Sequence, residues 1–239
     1  MKKKYFLPAL FYFLIIFLVN TGCKKQGDKK EKCRITRLIR NGTQVYDIRY
    51  GDNENISSIE LTPGTEKHIY TYNGDKVTIT VTENSNFQHR WIVTTNKNGL
   101  ATNVLLEYIE SGADWFNQAF TYEGVKVVSN KATDSGGNDS VTTNYIWENG
   151  NPAILINDGD VYNYEYYTDK NYQPGEWRYI QQLIAGYKIY EYKNLLKSSK
   201  VNGNTTYFTY NFDDAGRITE AISTSSNITT TFKIEYDCH

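Results

Sequence analysis

The stretch Tyr207-Phe208-Thr209-Tyr210-Asn211-Phe212, Asp213-Asp214-Ala215-Gly216, Arg217-Ile218-Thr219-Glu220-Ala221-Ile222 decides the fold class. Two alternating runs of β-branched and aromatic residues flank a polar turn, and its glycine takes a positive φ without a Cβ clash. This reads as a β-hairpin, and weaker versions recur along the chain. The copies centred on Gly74, Gly124, Gly150 and Gly216 share an aromatic-x-Tyr, turn, x-aliphatic cast. Their spacing is irregular, so they form a degenerate hairpin series rather than a strict solenoid.

Working outward, the same pattern assigns most of the chain to strands. Lys76-Val77-Thr78-Ile79-Thr80-Val81 places its aliphatics on one face and its threonines on the other. Arg90 to Thr95 pairs with Ala101 to Tyr108, and Val141 to Trp147 pairs with Pro152 to Asn157. Tyr187 to Tyr192 also alternates and reads as a strand. Glu176 to Ala185 departs from the period of two: Trp177, Ile180, Leu183 and Ile184 have helical spacing, so a short helix is expected there. The fold class is all-β: a single curved antiparallel meander of successive hairpins that curls or closes toward a barrel, with at most a short helix near 176–185. The 21 tyrosines and 10 phenylalanines fit cross-strand aromatic packing on one face of such a sheet.

The N-terminus is read apart from the fold. Lys2, Lys3 and Lys4 precede an apolar run from Tyr5 to Val19, which is the anatomy of a secretory signal. That run is too short for a comfortable transmembrane helix, which needs about 20 residues. Cys23 follows Asn20-Thr21-Gly22, and the junction resembles a bacterial lipobox, with Asn20 standing where an aliphatic residue is usual. The division is therefore residues 1–22 as a lipoprotein signal peptide, 23–32 as a polar tether, and 33–239 as the all-β domain. Lipidation at Cys23 would make the membrane a partner and place the domain in the envelope at the outer membrane, on its periplasmic or cell-surface side. Removing the leader leaves 23 basic and 27 acidic residues, a net charge of about -4. No basic stripe crosses the domain, so nucleic acid is not expected as a partner.

Cys33 opens the domain and Cys238 lies one residue from its end; in an oxidising compartment they can pair. Two buried thiols are the simpler alternative. No cofactor motif occurs. Asn157-Asp158-Gly159-Asp160 collects oxygens that suit a hard cation, with Asp158 and Asp160 as ligands, but a plain turn explains it as well. His68 and His89 lack metal-ligand spacing, no Gly-x-Ser-x-Gly is present, and the domain reads as non-catalytic. Aromatic side chains are the better candidates for binding, because tyrosine and tryptophan pair an apolar plane with a polar handle. Trp115, Trp147, Trp177 and Tyr167 are the candidates, with Trp115 the most suited to exposure. Tyr166 and Tyr167 are adjacent, so in a regular strand they face opposite ways.

Two resemblances follow from particular residues. Tyr210-Asn-Phe-Asp213-Asp-Ala-Gly216-Arg217-Ile218 resembles one copy of the tyrosine-aspartate repeat of bacterial surface proteins. The lipobox-like start, Cys33, Trp147-Glu-Asn-Gly150-Asn-Pro152, the Gly186-Tyr187 to Ser198 segment and the late Asp-Ala-Gly-Arg turn together resemble a Bacteroidota lipoprotein family of unknown function with a porin-like all-β fold. That resemblance implies a curved antiparallel sheet in the cell envelope and supplies no catalytic residues. A membrane-spanning barrel is not expected, because many strands carry Thr, Asn, Lys or Glu opposite their aliphatics. The functional expectation is a non-catalytic glycan- or peptide-binding module of the envelope; the alternative is a structural or assembly protein that contacts another envelope protein.

Overall fold

Each hairpin turn is built by residues that accept a positive φ. Asn41-Gly42, Asn149-Gly150, Asp158-Gly159 and Asn202-Gly203 all hold it at both positions, which matches the twist of the strands they join. In the computed structural model, which describes residues 32–137 and 140–239, these turns connect sixteen strands among the described residues. The expectations placed on the leader 1–22, on Cys23, on nearly all of the tether and on Asn138 and Asp139 lie outside those residues.

The strands run β1 (Cys33–Arg40), β2 (Gln44–Tyr50), β3 (Ile56–Thr62), β4 (Glu66–Asn73), β5 (Lys76–Glu83), β6 (Asn86–Thr95), β7 (Ala101–Glu107) and β8 (Trp115–Glu123). They continue with β9 (Lys126–Asp134), β10 (Val141–Glu148), β11 (Asn151–Asn157) and β12 (Asp160–Asn171). A helix, α1 (Trp177–Ala185), then precedes β13 (Asn194–Val201), β14 (Asn204–Phe212), β15 (Ile218–Ser225) and β16 (Ile228–Cys238). Every strand pairs with its sequence neighbour, and β16 pairs with β1, so the meander closes into a barrel. Closure satisfies both edge strands, which an open sheet would leave exposed.

Register decides which side chains meet inside. One inward row passes from Ile48 through Ile59, His68 and Val81 to His89. The next runs through Tyr70, Ile79, Trp91, Leu106 and Phe116. One outward row is charged. Arg37, Asp47, Glu60 and Lys67 stand side by side on four strands, joined by Arg37–Asp47 at 2.7 Å and Lys67–Glu60 at 2.8 Å. The outer wall is hydrated along these strands.

A barrel of sixteen strands encloses more space than its own wall side chains fill. Here the connection between β12 and β13 turns inward and fills one end. Glu176 caps α1 by accepting from the Tyr179 N–H at 3.0 Å, and Gly186 ends it at φ 76°. Ile180 is fully buried, and Trp177 packs against Phe208 and Phe232. The segment expected as a strand at 187–192 is not one. It makes a single bridge, Leu100 to Lys188, and Tyr190 and Tyr192 pack inward beside α1 instead. Its alternation is that of an extended chain crossing the barrel, whose carbonyls and amides find partners singly: Ala101 N–H to Lys188, and Lys193 N–H to Gly150. Buried Asn151 and Asn194 hold its exit, with Asn151 Oδ1 accepting from the backbone N–H groups of Lys193 and Asn194.

Candidate functional site

The inserted segment enters from the end where β1 begins, so it closes that end of the barrel and leaves the other side of α1 unfilled. There lies a cavity of about 490 Å³, within the range of small-molecule sites. Its floor is α1, through Trp177, Ile180, Gln181, Ile184 and Ala185. Its wall comes from strand positions near the opposite rim: Arg40 at the end of β1, Tyr46 on β2, Glu66 and His68 on β4, His89 and Trp91 on β6, and Thr230 and Phe232 on β16.

Local chain geometry explains this gathering. Glu66 and His68 are two apart on one strand and therefore share its inner face. The Glu66 carboxylate meets His68 Nε2 at 2.8 Å. His89 lies two strands over in the same row, separated from His68 by Val81. Burial lowers the His89 pKa, and neighbouring His68 lowers it further. The His89 ring meets Trp91 edge-on at 5.9 Å, and Tyr46 packs against Phe232 at 6.4 Å. The result is an aromatic cup with a cation, a carboxylate and two imidazoles along one side.

The candidate aromatics do not share this site. Trp177 lines the cup. Trp147 belongs to the core: its indole donates to the Val127 carbonyl at 2.7 Å and its ring meets Tyr190. Tyr167 also packs inside, against Tyr210, and donates to the Phe208 carbonyl at 2.9 Å. Tyr166 lies inside as well, donating to Pro152. The expectation that these neighbours face opposite ways fails because β12 leaves regular register between Tyr166 and Asn171, where it spends five residues against two of β13, and such an irregularity turns consecutive residues to one side. Trp115 is half-buried and pairs with Glu107 in an outward row of β7 and β8, apart from the cup.

Asp158 sits at φ 47° in the β11–β12 turn, and Asp160 accepts from Asn202 Nδ2 at 3.0 Å. Among the described residues no group of three or more His, Cys, Asp or Glu is arranged to hold a metal. The sequence reading missed the cup's polar side, because it sought carboxylates at familiar ligand spacings. The available signal was Glu66-x-His68 on an alternating strand, which puts both on one face.

The fold is thus a closed antiparallel all-β barrel of sixteen strands with one short helix lodged in its lumen. In a comparison of structures, the chain is similar to a porin-like protein from Bacteroides uniformis. The two share 12% sequence identity at a TM-score of 0.61, over 85% of this chain and 98% of that one. No family profile matches the sequence, and no curated protein matches it either.

Proposed function

We propose that this protein is a non-catalytic binding module of the bacterial cell envelope, holding a small ligand or the end of a glycan or peptide in the barrel mouth. The observation that carries this reading is the cup above α1. It combines a volume of about 490 Å³, the half-buried Trp91 and Trp177, and a few convergent polar groups, the usual make-up of a ligand pocket. Lipid attachment at Cys23 would complete the assignment to the outer membrane.

The test is binding of the purified chain to panels of glycans and short peptides, followed by intrinsic tryptophan fluorescence. Saturable binding that is lost in Trp177→Ala, with the far-ultraviolet dichroism unchanged, is the expected result. Binding that survives Trp177→Ala would move the site elsewhere. A second reading, docking to another envelope protein, is favoured by one feature of the outer wall. Ile146 pairs with Ile154, and Ile156 with Val161, forming an outward aliphatic patch on β10–β12. Crosslinking from this patch in intact cells would identify a partner.

A further inference from the structure

Resting on the reading of the cup as a ligand site, we infer that its ligand is an acidic sugar, one presenting a carboxylate beside a pyranose ring. Some aromatic donors of the lumen are met by backbone carbonyls: Tyr50 by Ile35, Tyr122 by Ala101 and Ile189, Trp147 by Val127, and Tyr236 by Ile218. Those that line the cup have no such partner. Among the described residues, no protein acceptor meets the Trp91 and Trp177 indoles, the Tyr46 hydroxyl or the Arg40 guanidinium, and Arg40 Nε is itself buried.

Leaving the buried Arg40 Nε unmet is costly unless something else supplies an acceptor, and the other three donors line the same space, where a ligand can replace water. The surplus is of donors, so the complement is rich in oxygen. Arg40 adds a charge and a planar fork that suits a carboxylate. The carboxylate already present, Glu66, is engaged by His68 at 2.8 Å, while Arg40 forms no ion pair among the described residues. The indole planes of Trp91 and Trp177 supply the apolar faces against which a sugar ring stacks. A neutral lipid would use those faces and leave the donors unmet; an inorganic anion would use the donors and leave the faces bare. A carboxylated pyranose uses both.

The experiment is titration of the purified full chain with glucuronic, galacturonic and N-acetylneuraminic acids and their disaccharides, each beside its methyl ester. The ester keeps the ring and removes the charge. At least one acid is expected to bind ten-fold or more tightly than its ester. Arg40→Gln, at the rim, should erase that difference, and Trp177→Phe, which keeps the ring and loses the N–H, should weaken acid and ester alike. Equal binding of acid and ester, or an unchanged difference in Arg40→Gln, would overturn the acidic-sugar inference and leave the ligand cup intact. If no sugar binds while other small ligands still bind in a Trp177-dependent way, the inference fails and the cup reading stands. If nothing binds at all, both fail.

Discussion

Glu176 shows how one residue can tie an inserted helix to a barrel wall. Its side chain has no solvent exposure; one oxygen accepts from the Tyr179 amide at 3.0 Å and the Tyr192 hydroxyl at 2.9 Å, and the other lies 3.2 Å from the Tyr210 hydroxyl. Tyr210 has one proton and two acceptors within reach, because the Leu196 carbonyl lies 3.0 Å away. A protonated Glu176 resolves this: it donates to Tyr210, and Tyr210 donates to Leu196. Burial likewise raises the Glu176 pKa above the usual carboxylate value. A folded-state pKa raised above the unfolded one gives stability that is present in acid and lost as pH rises toward the folded value. Glu176→Gln mimics the neutral acid, so its melting temperature should gain on the wild type as pH increases from about 4.5. A parallel pair of pH profiles would refute the protonated assignment. His89 has the opposite sign: its lowered pKa gives stability present above the ordinary histidine value and lost as pH falls below it. Neither group was legible in the sequence. Glu176 read there only as the first residue of a helical period, since burial and two tyrosines, one from the extended segment after α1 and one from β14, are invisible along the chain.

The element that matters most is α1 with the extended chain behind it. Trp177, Ile180, Leu183 and Ile184 announced the helix through their spacing, and the structure places it at Trp177–Ala185. Its location inside the barrel was not announced, because an amphipathic stripe says that one face is buried without saying against what. Gly186 carries that information in structural form. It holds φ 76°, and a Cβ there would run into the Tyr70 ring and Ile79. Gly186→Ala should therefore lose about 2–4 kcal/mol, from left-handed backbone strain and overpacking together, measured by urea denaturation. A near-neutral result would mean that α1 is not seated as tightly as these contacts require. Trp147→Phe is the matching control among the aromatics. It removes the bond to Val127 at a cost of about 1 kcal/mol and should leave ligand affinity unchanged, whereas a loss of binding would return Trp147 to the site. The hairpins were legible from alternation and turn chemistry, yet the break in β12 register between Tyr166 and Asn171 was not, and it decides where Tyr166 and Tyr167 point.

At the scale of the molecule, local pairing accounts for everything except closure. Fourteen hairpin connections and the β12–β13 insertion need only sequence neighbours to pair, and a meander built this way could remain open. The step that is not local is the pairing of β1 with β16, about 200 residues apart in the chain, which carries a loop-closure cost that no short-range contact offsets. Side chains reinforce the seam on its outer face, where Arg34 meets Asp237 at 3.2 Å and Arg37 meets Glu235 at 3.4 Å. Exposed ion pairs of this kind contribute little, so a covalent tie would matter more. Cys33 begins β1 and Cys238 ends β16, and both are in the disulfide state. We propose that they pair with each other, which on the chain-entropy account stabilises a loop of this length by about 5 kcal/mol. Peptide mapping without reductant should recover one linked fragment holding Cys33 and Cys238. The Cys33→Ser, Cys238→Ser double variant should then unfold at lower denaturant with the seam opening first, seen as early loss of amide-exchange protection in β1 and β16 relative to β5 and β6. If the mapping finds free thiols, or if the seam keeps its protection in the double variant, then strand pairing alone closes the barrel.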